Sequence, residues 1–131
     1  MADPLKYLIF LSAEGETAEI PVPGNGVPDD ALLAALLHTD VTERLRLPVK
    51  PAEFPGDAAL CYFIDARGGE KGLPVNFAGT CFYHTGCPIF GDLLLARCSI
   101  EHPEGAIEAF SGAESRILRT WLRENFGSVI K

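Results

Sequence analysis

Apolar and polar positions along the chain sort it into strands and helices before any single residue is considered. Residues 6–12 (KYLIFLS) are rich in β-branched and aromatic side chains and predict a strand, and residues 18–22 (AEIPV) predict a second. Gly15 between them suits a hairpin turn. Pro21 and Pro23 cannot donate to a ladder, so the second strand is expected at a sheet edge. Asp29 and Asp30 then open a helix, whose Leu32, Leu33, Leu36 and Leu37 recur at helical spacing. Val41, Leu45 and Leu47 alternate with Thr42, Arg44 and Arg46, which predicts a strand, with a continuing helix as the alternative.

Three prolines make residues 48–57 a loop. Residues 58–65 (AALCYFID) form the clearest buried strand, ARGGEKG after them is a turn, and residues 93–100 (LLLARCSI) are a further strand. Ser111 and Glu114 have capping-box spacing ahead of a helix that buries Ile117, Leu118, Trp121 and Leu122 and ends at Gly127. The result is one α+β domain over residues 1–131, with a mixed or antiparallel sheet of about six strands and two main helices. Trp121, Leu118, Leu60, Ile64 and Leu94 are expected to share its core.

Composition leaves this picture intact. At 131 residues, with 47% hydrophobic and 22% charged residues, the chain is of ordinary globular size and balance. The net charge of −7 opposes a phosphate-backbone binder. It suits a basic partner surface, nucleic-acid mimicry or plain solubility. The first residues hold no basic region followed by a long apolar run, and the longest mostly apolar stretch, residues 31–37, is far too short to span a bilayer. An intracellular protein with reduced cysteines is the expectation.

Candidate chemistry centres on CFYHTGC, residues 81–87, which reads as a polar turn. Cys81, His84, Cys87, Cys98 and His102 have spacings usable for zinc, and His84 can approach either neighbouring thiol to form a Cys–His pair. No Cys-x2-Cys pair is present, and Cys61 and Cys98 lie in apolar runs where cysteine acts as a small hydrophobe. Ordinary cysteines and no cofactor are therefore expected, with zinc as the alternative. Arg116, Arg119 and Arg123 form a stripe on the last helix, able to receive a phosphate or an acidic partner, or else solvated and paired with Glu114 and Glu124. There is no calcium-loop pattern, no Gly-rich phosphate loop and no Ser-His-Asp signature.

Gly72-Leu73-Pro74-Val75-Asn76, then Ala78, then Pro88-Ile89-Phe90-Gly91-Asp92 before an apolar strand, resembles a domain family of unknown function. That family is encoded mainly by bacteriophages, mobile elements and their bacterial hosts. The resemblance covers about residues 58–98, and the family pattern requires no cysteine at 81, 87 or 98. It implies a phage-type protein of the bacterial cytoplasm that binds a host or defence-system macromolecule without catalysis. No membrane or direct nucleic-acid partner is expected. A small-ligand sponge, with the arginine stripe and the Asn76 loop beside one pocket, is a further alternative. In physical terms Pro74 fixes φ, Asn76 can hold a turn, Gly91 permits positive φ or close approach, and Asp92 can tie down loop N–H groups. Asn76 and Asp92 join the arginines as candidate binding residues.

Overall fold

A computed structural model describes residues 5–23, 27–47, 50–54, 58–83, 88–99 and 106–127. In chain order the elements are β1 (Lys6–Leu11), β2 (Thr17–Val22), α1 (Asp30–Leu36), β3 (Thr42–Arg46) and β4 (Ala58–Asp65). Then follow α2 (Phe77–Tyr83), β5 (Leu93–Ser99), β6 (Phe110–Ser111) and α3 (Gly112–Phe126). The strands form one six-stranded sheet in the order β2-β1-β5-β4-β3, with β6 pairing β1 beside the end of β5. Every strand pairing is antiparallel, which resolves the expected mixed or antiparallel sheet as antiparallel.

The local signals placed most elements. β2 is an edge strand, as its prolines require. The Ser12 N–H bonds the Glu16 carbonyl, so by alternation Ala18, Ile20 and Val22 face β1. Pro21 therefore turns its donorless nitrogen to the open side, where no ladder bond is lost. Asp29 caps α1 by accepting from the Leu32 N–H at 2.8 Å, and Ser111 and Glu114 form the reciprocal box that starts α3.

The sheet is covered on both faces. On one, Ile9, Leu11, Leu60, Tyr62, Ile64, Leu93 and Leu95 pack under Leu118 and Leu122 of α3, Ala78 of α2, Phe54 and Phe110. On the other, Leu8, Cys61, Phe63, Leu94, Ala96 and Cys98 pack under Leu33 and Leu37 at α1 and under Ile107 and Ala109. Three sequence expectations change. Leu94 leaves the core it was expected to share with Leu118, because side chains alternate along β5 and Leu93 and Leu95 take the α3 side. Trp121 and Ile117 are only half-buried. The CFYHTGC stretch begins inside a third helix, α2, rather than in a turn; His84 and Cys87 lie outside the described residues.

Candidate binding cleft

The two motif strings meet. Val75 and Phe90 form an antiparallel bridge flanked by two short bonds, Gly91 N–H to the Pro74 carbonyl and Asn76 N–H to the Ile89 carbonyl, both 2.7 Å. Gly91 has φ of 82°, a left-handed backbone that favours glycine, and a side chain there would begin 2.9 Å from Leu73 Cδ1, which would have to move aside. Asn76 is fully buried. Its Nδ2 donates to the carbonyls of Gly91 (3.0 Å) and Leu11 (3.3 Å), and its Oδ1 accepts from the Gly79 N–H at 2.9 Å, which caps α2. Thr80 extends the knot, donating its hydroxyl to the Asn76 carbonyl and accepting from the Ile89 N–H. Asn76 thus holds the wall together and is out of reach of a ligand.

That wall borders a cleft of about 280 Å³. Leu73, Pro74, Gly91 and Asp92 supply the motif side; Leu37 and His38 come from the end of α1, Asp65 from the end of β4, Lys71 from the turn after it, and Glu14 from the β1–β2 hairpin. Asp92 accepts from the Ala13 N–H at 2.9 Å and so ties the hairpin to the motif across 79 positions of sequence. His38 takes φ of 55° where α1 ends. There the His38 N–H bonds the Ala35 carbonyl and the Thr39 N–H bonds the Ala34 carbonyl, the double bond of a left-handed helix stop that glycine usually fills.

Asp65 is the electrostatic anchor, its side chain only 4% exposed. It accepts from Lys71 Nζ at 2.6 Å, from the Arg67 N–H and from the Thr39 hydroxyl, each of the latter at 2.9 Å. Burial alone would raise its pKa, but the Lys71 ammonium and the two other donors hold it below the usual 3.8. A depressed carboxyl adds stability above its unfolded pKa, and that stability is lost as pH falls through the lower folded value. Denaturant midpoints should therefore separate wild type from Asp65→Asn at neutral pH, and the gap should close on acidification below 3.8. A gap that stays constant with pH would remove this ion pair from the account. Three carboxylates face one ammonium in the cleft, so its charge favours a cationic guest.

The arginine stripe does not reach this cleft. Arg119 pairs with Glu19 of β2 at 3.2 Å, and Ser115 donates to the same carboxylate at 2.6 Å. Glu114, expected beside the stripe, instead binds Arg97 at 2.7 Å. Arg123 is exposed, and Arg116 lies with Trp121 in a separate groove.

The cysteines divide as well. Cys81 is exposed on α2, which packs on the α3 side of the sheet, whereas Cys98 is buried on the opposite face close to Cys61. His84, Cys87 and His102 lie outside the described residues, and among those described no three His, Cys, Asp or Glu side chains gather to hold a metal ion. Burial, then the neighbouring Cys98, push the Cys61 thiol up to about 12, against the opposing pull of Arg44. Such a thiol is protonated and unreactive at neutral pH. A thiol reagent should modify Cys81 promptly and reach Cys61 and Cys98 only on unfolding, as peptide mapping would show; early labelling of Cys61 would contradict its burial.

His38, Asp65, Lys71, Glu14, Leu37, Leu73 and Pro74 were not singled out from sequence as binding residues. A helix ending in His38 rather than glycine, and a charged residue closing an otherwise apolar strand at Asp65, are the signals that could have marked two of them. No helix among the described residues is long and apolar enough to cross a membrane. Comparison of the chain with protein-family models, with curated proteins and with solved structures found no match.

Proposed function

We propose that this protein is a small phage- or mobile-element-type protein of the bacterial cytoplasm that acts without catalysis, by binding a host or defence-system macromolecule through the acid-biased cleft. The observation that carries the proposal is the knot between the two motif strings. Pro74, Asn76 and Gly91 are consumed in making one wall of a concave surface; Asp92 stands on that wall, Glu14 on the β1–β2 hairpin, and Asp65, held by Lys71, lines the cleft from the end of β4. Pre-formed surfaces of this kind lose little entropy when a partner docks. Leu37, Leu73 and Pro74 supply apolar walls for the methylene stem of a lysine or arginine, whose charged end meets the carboxylates. The net charge of −7 draws such a partner in from a distance.

The test has two stages. Affinity capture from bacterial lysate supplies a partner, and its binding is then measured across salt concentrations for wild type and Glu14→Lys. Glu14 is exposed, so the substitution spares the fold. Affinity should fall steeply with salt, because exposed charges are screened within about 8 Å at physiological ionic strength, and Glu14→Lys should weaken it further. Binding that is flat in salt and indifferent to Glu14 would sink the proposal.

A further inference from the structure

A second surface lies on α3, independent of the cleft. Ile117 and Trp121, one helical turn apart, pack against the core with their inner sides yet stay half-buried. With Thr120 and Arg116 they line a groove of about 340 Å³, where Glu53 and Glu124 add two exposed carboxylates. The lining thus joins an aromatic and an aliphatic side chain to a net negative surround, on a helix whose start is fixed by a complete capping box. Tryptophan is among the residues enriched at the hot spots of protein interfaces.

We propose that this groove docks an amphipathic segment of a partner protein, presenting an apolar side chain to Trp121 and Ile117 with lysine or arginine beside it. Charge selects the occupant. A second copy of this chain would set Glu53 and Glu124 against their own kind, with −7 on each molecule, so self-docking is opposed. An acidic segment meets the same two carboxylates, offset in the lining by Arg116. A basic amphipathic segment satisfies the apolar floor and both carboxylates together, as helix-in-groove recognition does.

Trp121 is the chain's single tryptophan, so its emission reports on this groove alone. The probes are a synthetic amphipathic peptide of leucine and lysine and its counterpart with glutamate in place of lysine. The lysine peptide should shift Trp121 emission to the blue in a saturable manner, with about tenfold weaker binding to the doubly reversed variant Glu53→Lys/Glu124→Lys. Glu14→Lys, in the cleft, should leave this titration unchanged, which separates the groove from the cleft. Both reversed residues are exposed, and an unchanged unfolding midpoint would confirm that the variant is folded. Four results would overturn the proposal: no shift with the lysine peptide, an equal shift with the glutamate peptide, undiminished binding to the reversed variant, or a shift that follows protein concentration without peptide.

Discussion

Asn76→Ala should destabilise the fold by about 3 kcal/mol, since it takes a hydrogen-bond partner from three buried backbone groups at roughly 1 kcal/mol each. Those groups are the carbonyls of Leu11 and Gly91 and the Gly79 N–H. They belong to β1, to the motif loop before β5 and to α2, so one amide side chain joins three parts of the fold. Water cannot readily replace it, because the site is fully buried. Asn76→Asp isolates the hydrogen-bond pattern at nearly constant volume. It keeps the acceptor for Gly79 but loses both donors and faces two carbonyl oxygens with a charge, so it should be at least as damaging as alanine. Chemical denaturation of the two variants measures this. A cost under about 1 kcal/mol for both would mean that the knot tolerates loss of its centre, as exposed turns do.

The same residue shows how far sequence carried. Asn76 was legible as a residue that bonds nearby backbone, because asparagine does so in many turns, but two of its three side-chain partners lie outside its own turn. Elements with local causes were read well: Pro21 at an edge, Asp29 as a cap, the Ser111–Glu114 box, and β4, whose eight residues are all buried. Elements whose cause is distant were not. α2 carries no amphipathic period in FAGTCFY and exists where Asn76 caps it and Ala78 packs beneath it. β6 is two residues long and is defined by pairing with Lys6 and Tyr7, over a hundred positions away. Leu93, Leu94 and Leu95 are chemically identical, so their faces follow only from the register with β1 and β4. The cleft was hidden for the same reason: Ala13 meets Asp92, and Asp65 meets both Thr39 and Lys71, through a fold that no short spacing announces.

Phe110→Ala should cost about 3–5 kcal/mol, the range for truncating a buried aromatic. Trp121→Ala should cost clearly less, which reverses the order that residue size suggests. Phe110 is fully buried and meets the ring of Phe54 with centroids 5.9 Å apart at 58°, close to the tilted geometry that aromatic pairs favour. It stands on β6 just before Ser111, the cap of α3, so the cavity left by alanine would open where the helix docks on the sheet. Trp121 has a partner too, Phe126 at 5.7 Å edge to face, but half-burial means that much of its surface stays in water in either state. Phe110→Leu separates volume from aromaticity: it keeps most of the apolar bulk and should recover more than half of the loss. Urea unfolding of the three variants, with m-values held in view, ranks them on one scale. If Trp121→Ala proved as costly as Phe110→Ala, the indole would be acting as a core residue, and the α3 groove would lose the open anchor on which docking depends.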